Sequence, residues 1–183
     1  MDRNECVYRG WKLEKIPAGL HLAHFDCGDF TMTTYFRRKS KLYRKQMLVE
    51  SYHFRPLDYT EPVPVVLGDL CNDAFRREHI PDLEQRVTSK KTYLETFPAV
   101  KIARLGRNRV FSGGGAGKAL LNALKFFFTS ENRTGCRFLT VDAYPKIEGF
   151  YSECGFVRTL ANSEANPNET ISMFFDLKTY RPS

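Results

Sequence analysis

The sequence predicts an α/β fold built on a mixed central sheet flanked by helices. Three observations lead there. Short apolar or alternating runs of strand length recur along the chain, and two stretches carry apolar residues at helical spacing. In the second half, strands and helices alternate around a glycine-rich loop. The order is strands first, then strand, glycine loop, helix, strand, helix, strand.

"WKLEKI" (11–16) reads as the first strand, and "FDCGD" (25–29) as a turn that can cap a helix. From Thr31 to about Met47, apolar residues recur at Tyr35, Phe36, Leu42, Tyr43 and Met47, which predicts a helix. "VESYHFR" (49–55) and "VPVVLGDL" (63–70) read as strands around a proline-containing turn. Residues 72–97 are polar and predict a loop with one helix near 84–94. "FPAVKIARLG" (97–106) is a strand, "AGKALLNALKFFF" (116–128) an amphipathic helix, and "CRFLTVDAY" (136–144) another strand. "PKIEGFYSECG" (145–155) is a short helix ending at Gly155, and "ISMFFDL" (171–177) a last strand.

The 183 residues suit a single domain, 1–183, with no internal repeat, low-complexity tract or linker. With 42% hydrophobic and 27% charged residues the composition is that of a globular protein and excludes disorder. No apolar run approaches the ~20 residues of a membrane span, and the first residues show no apolar signal core. The five cysteines, Cys6, Cys27, Cys71, Cys136 and Cys154, are scattered and odd in number, which favours reduced thiols and a cytoplasmic setting. A net charge of +7 suits polyanions or phosphorylated cofactors. His21, His24 and Cys27 share a threefold spacing, but no fourth partner is near, so no metal is expected.

"RVFSGGGAGKALL" (109–121) packs four glycines and an alanine into five consecutive residues and then turns helical. The first-turn N–H groups of that helix, with the positive end of its dipole, point into the loop and suit an anion. Two familiar phosphate loops do not fit. A Walker A loop would need glycine at Ser112 and Ser or Thr at Ala119, and a dinucleotide fingerprint would need glycine at Lys118. What fits is Gly115-x-Gly117 opening the helix, which by itself also suits a flexible connection.

"KIARLGRNRVFSGGGAGKALL", followed by "FLTVDAY" and "GFYSECGFV", resembles the GNAT (general N-acetyltransferase) family. That signature is a strand, [RQ]xxGxG[AG], a long helix, a strand and a FYxxxGF element, and the match covers about residues 97–157. "FDCG" and "PAVKIARLG" look like a bacterial branch that includes toxin-type tRNA acetyltransferases. The resemblance implies a partly splayed mixed sheet holding acetyl-CoA between the fourth and fifth predicted strands. Pantetheine would pair with main chain at Leu105, Gly106 and Arg107, and the pyrophosphate would sit on Ser112, Gly113, Gly114, Gly115, Ala116, Gly117 and Lys118. Ser112 replaces the usual Arg or Gln, which points to Arg109 or Lys118 as the substitute cation, and Arg107 stands where an apolar residue is usual.

Acetyl transfer needs a neutral amine and a proton for the departing thiolate, whose thiol has a pKa near ~8.5. The resemblance implies that Tyr151 is the general acid; read alone, Tyr151 is a core aromatic with its hydroxyl satisfied locally. Asp69, Asp73 and Glu148 are carboxylates near element ends, and none stands out as a base. Arg37, Lys41, Arg44 and Lys45 form a stripe along the 31–47 helix that is a solvated face, a track for an RNA backbone or a site for an acidic peptide. The expected activity is therefore acetyl-CoA-dependent N-acetylation of a primary amine by direct attack. The acceptor is a small amine, a protein amino group or the aminoacyl end of charged tRNA. The tRNA reading brings an antitoxin partner with it, and the assembly, a homodimer included, is left open by the sequence. The rival reading is a binding module that holds CoA or RNA without turnover.

Overall fold

Eight strands hydrogen-bond in the order β1-β2-β3-β4-β5-β6-β8-β7, in a mostly antiparallel sheet that does not close on itself and is flanked by helices. This computed structural model describes residues 5–17, 19–87, 94–111, 114–130, 134–161 and 169–182. The strands are β1 (Glu5–Tyr8), β2 (Trp11–Lys15), β3 (Glu50–Pro56), β4 (Val66–Arg76), β5 (Thr96–Arg107), β6 (Phe138–Ala143), β7 (Val157–Arg158) and β8 (Ile171–Asp176). The helices are α1 (Phe30–Thr34), α2 (Ser40–Lys45), α3 (Leu83–Arg86), α4 (Ala116–Ser130) and α5 (Glu148–Glu153). The α/β fold expected from the sequence is the one observed. The chain forms two compact units, Met1–Cys71 with Ile102–Phe127, and Asn72–Lys101 with Phe128–Ser183.

In the first unit, β1 and β2 form a hairpin that the sequence reading lacks, with Cys6 opposite Leu13 and Tyr8 opposite Trp11. Its turn is Arg9-Gly10, both at positive φ (49° and 79°), the geometry of a two-residue hairpin normally signalled by Asn-Gly or Asp-Gly. β2 pairs antiparallel with β3, and Trp11 stacks on Phe54 at 4.8 Å. The "FDCGD" turn does cap a helix: the Asp29 carboxylate accepts the Met32 N–H at 2.8 Å.

The helix predicted over 31–47 is present over 30–45 but is not regular. Its middle, Tyr35–Lys39, is a π-helical turn. Tyr35 and Phe36 are buried with Phe25 and Leu67, while Leu42, Tyr43 and Met47 are exposed, Met47 at 92%. The wider turn shifts the phase of everything after it, so the predicted apolar face holds only in the first half. The basic stripe breaks for the same reason. Arg37 is exposed but donates its Nε–H to the Phe25 carbonyl at 2.6 Å, and Arg44 turns inward, its Nε buried. Besides Arg37, the cations Arg38, Lys39, Lys41 and Lys45 of this segment are exposed.

In the second unit, Phe75, Phe97, Phe138 and Phe174 form an aromatic core with Ile80 and Ala99. β6 pairs antiparallel with β8, Thr140 facing Phe174, and β8 pairs with β7. β4 runs six residues beyond the predicted strand end, to Arg76, and α3 occupies 83–86; the rest of the predicted 84–94 helix lies partly outside the described residues.

Candidate functional site

β5 ends at Arg107 and α4 begins at Ala116, so the glycine-rich segment joins strand to helix as the sequence predicts. The helix ladder starts at Ala119, whose N–H reaches the Gly115 carbonyl at 2.9 Å. The amides of Ala116, Gly117 and Lys118 therefore precede any intrahelical carbonyl, the arrangement that makes a helix start attractive to anions. Gly114 and Gly115 have φ of +72° and +67°, conformations that a side chain disfavours, and an added Cβ at either would meet nothing within 4 Å. Glycine is required here by the backbone, and the space beside it is open. Ser112 and Gly113 lie outside the described residues.

Upstream, Leu105 is half-buried, Arg107 is exposed and Gly106 is buried. Gly106 serves packing as well as any ligand, because a Cβ there would come within 2.9 Å of the Phe25 ring and 3.4 Å of Cys27 Cβ. Gly106→Ala should overpack this point and cost about 1–3 kcal/mol, roughly 2–12 °C in Tm for a domain of this size. A thermal melt indistinguishable from that of the parent chain would show that the ring yields freely. Arg109, a sequence candidate for a phosphate cation, instead pairs with Asp26 at 3.0 Å. Lys118 is exposed on the first turn of α4.

The three carboxylates weighed as bases are all engaged. Asp69 is fully buried and accepts the Tyr35 hydroxyl at 2.5 Å; burial pushes its carboxyl up, opposed by the Ser51 and Tyr35 hydroxyls and the charges of Arg44 and Arg104. Asp73 accepts the Thr140 hydroxyl at 2.5 Å. Glu148 is paired with Arg158, which holds its carboxyl below the usual range. His21 and His24 lie 5.9 Å apart ring to ring, the Cys27 thiol lies 3.4 Å from the Thr33 hydroxyl, and among the described residues no three His, Cys, Asp or Glu side chains form a metal-holding group. None of the five cysteines is in a disulfide. Among the described residues no helix is long and apolar enough to cross a membrane.

In the second unit, α5 presents Tyr151, 3% exposed, with edge contacts to Phe150 at 5.1 Å and Phe156 at 5.5 Å. The helix stops at Gly155, whose φ of +80° ends it, and Phe156 N–H returns to the Tyr151 carbonyl at 3.0 Å. Burial, with the neighbouring Cys154, pushes the Tyr151 phenol up to about 12, so it carries its proton throughout the neutral range.

Sequence reasoning missed two residues of the first unit that hold the approach to the glycine loop: Asn108, 1% exposed, and His53, likewise buried. An Asn at a strand end beside a glycine run is a turn signal that could have pointed to the first. Nothing periodic marks the second.

No protein-family model matches the sequence, and no curated protein matches it. Solved structures do. A tyrosine-to-phenylalanine mutant of KacT is 21% identical, covering 93% of this chain and 97% of its own, with a TM-score of 0.74. AtaT complexed with acetyl-methionyl-tRNAfMet is 22% identical, over 92% of this chain and 96% of its own, with a TM-score of 0.73. A mutant AtaT toxin bound to the C-terminus of the antitoxin AtaR and acetyl-CoA is 19% identical, over 93% and 95%, with a TM-score of 0.66. At these identities the likeness speaks to architecture alone: the chain has the fold of KacT and AtaT, the GNAT fold.

Proposed function

We propose that the protein is an N-acetyltransferase that uses acetyl-CoA and acetylates the amino group of an aminoacyl-tRNA. The observation that carries the cofactor reading is the Gly114-Gly115 pair, held at positive φ with open space beside it and leading directly into α4. In this reading the first turn of α4 takes the diphosphate, with Lys118 as the nearby cation, and the main chain of Leu105, Gly106 and Arg107 pairs with pantetheine. Acetyl-CoA supplies an activated thioester. A neutral acceptor amine forms the new C–N bond as the C–S bond breaks; the Tyr151 hydroxyl gives its proton to the departing sulfur, and the proton shed by the acylated nitrogen leaves to solvent, which reprotonates the phenolate.

The acceptor is argued from charge. The chain carries +7, and Arg38, Lys39, Lys41 and Lys45 stand exposed on one short helical segment. AtaT, with the same fold, has been solved with an acetylated aminoacyl-tRNA and with its antitoxin, which supports charged tRNA as substrate and an antitoxin as partner here. Labelled acetyl-CoA offered together with charged tRNA, protein and small amines should place label on charged tRNA. Replacing Arg38, Lys39, Lys41 and Lys45 by Gln should weaken tRNA binding, flatten its salt dependence by up to about four counterions, and leave the fold intact. Label in protein or small amines, with an unchanged salt slope, would transfer the reading to those acceptors.

A further inference from the structure

The strand that leads to the glycine loop leaves the sheet at Asn108, and the bonds made there exceed what a turn needs. Asn108 N–H donates to the Val65 carbonyl at 2.9 Å. Its side-chain amide donates to the Pro64 carbonyl at 3.0 Å and the His24 carbonyl at 3.2 Å. Its own carbonyl accepts the Phe111 N–H at 3.0 Å. One buried amide thus joins three segments remote in sequence, around residues 24, 64 and 108.

The neighbouring bonds tighten the same junction. Arg109 N–H donates to the Asp26 carbonyl at 2.7 Å, while its side chain pairs with the Asp26 carboxylate. Arg37 holds the Phe25 carbonyl between them. Behind Val65 stands His53, whose Nε2 accepts the Val65 N–H at 3.1 Å, so its ring proton sits on Nδ1. Burial pushes this imidazole down to about 4, which keeps it neutral and able to accept that bond near pH 7. A side chain that satisfies carbonyls of two remote segments and fixes the start of a third is an expensive feature to bury, since every donor must be matched.

We infer that Asn108 is a positioning residue for cofactor capture: it sets the direction in which the chain enters the glycine loop, with His53 supporting it through Val65. The inference rests on reading that loop as the acetyl-CoA site. Asn108 itself touches no reacting atom. Its effect reaches the cofactor through the backbone of residues 108–111, which it holds before any ligand arrives.

The test combines calorimetry, steady-state kinetics and hydrogen exchange on the full chain. The unmutated protein should bind acetyl-CoA. Asn108→Ala, assayed well below its melting temperature, should raise both Kd and KM for acetyl-CoA at least tenfold while kcat at saturation stays within about twofold. Leu13→Val, a core change in the same unit, should lower stability without moving Kd, which separates positioning from general weakening. Hydrogen exchange of the unmutated chain covers the case of an Asn108→Ala chain that does not fold. The amides of Asn108, Arg109 and Phe111 should be protected equally with and without acetyl-CoA. Protection that arises only on adding acetyl-CoA would overturn the inference. So would an unchanged Kd in folded Asn108→Ala, or a KM rise of equal size in Leu13→Val. Failure of the unmutated chain to bind acetyl-CoA would instead overturn the cofactor reading, and this inference with it.

Discussion

Tyr151→Phe is expected to lower turnover by roughly 10²–10⁴ while leaving acetyl-CoA affinity unchanged. The ring stays, so its packing against Phe150 and Phe156 is preserved, and only the hydroxyl is lost. A phenol lifted to about 12 is a weaker acid than an ordinary thiol, which at first sight argues against proton donation. In the proposed mechanism the thiolate would form beside it and feel the same burial, which raises the sulfur's basicity as the C–S bond stretches. The proton then moves as charge develops, not before. The high phenol pKa also fixes a sign. Ionisation of Tyr151 would remove the acid, but it lies above the working range, so no alkaline loss of rate between about pH 7 and 10 belongs to this residue. The chemical step has to be followed by single-turnover kinetics, because slow product release would mask the deficit. A mutant with parental single-turnover rate at saturating acetyl-CoA would return Tyr151 to the core.

Gly117→Glu should abolish acetyl-CoA binding and at the same time leave the fold as stable as before, or more so. Gly117 lies in the first turn of α4 and, unlike Gly114 and Gly115, is not held at positive φ. Replacing a helical glycine gains up to about 1 kcal/mol of propensity, and a carboxylate in the first turn interacts favourably with the helix dipole. For a bound diphosphate the same carboxylate is a like charge at short range. At about 4 Å and an effective dielectric constant near 20 the repulsion is about 4 kcal/mol, some three orders of magnitude in Kd. The two readouts therefore move in opposite directions, and a misfolded variant cannot imitate the result. Calorimetry showing parental affinity in the folded variant would take the phosphate site away from this loop.

The parts of the fold that were readable in the sequence are those where periodicity is strong and undisturbed. α4 buries Leu120, Leu121, Ala123, Leu124, Phe127 and Phe128 at helical spacing, and β8 buries Ile171 and Met173 in alternation. β1 has one buried residue, Cys6, and a turn whose Arg9 carries no conventional hairpin signal, so its pattern was too thin to register. β7 is two exposed residues. The 31–47 helix was located correctly but rotated wrongly beyond Tyr35, because a helical wheel assumes 3.6 residues per turn and the π turn does not obey it. Arg44 is the casualty: counted among the RNA-facing cations, it is half-buried with its Nε out of solvent, and its charge acts on Asp69. For the candidate site, the glycine loop and its position before α4 were legible from composition and order. The bonds that aim the loop were not, since Asn108 finds its partners 44 and 84 residues away.

The junction at Asn108 has an entropic consequence. Ordering a residue's backbone costs about 1–2 kcal/mol at room temperature, so freezing a four-residue approach during ligand capture would consume much of the binding free energy of a typical cofactor. Residues 108–111 are instead tied down by bonds from Asn108 and Arg109 to the rest of the first unit, with the Phe111 N–H bonded back to the Asn108 carbonyl. That loss of freedom falls on folding, where it is shared with the whole domain. If acetyl-CoA binds at Gly114 and Gly115 as proposed, the part of its approach formed by residues 108–111 is already ordered, and the entropy change of its capture should be correspondingly small.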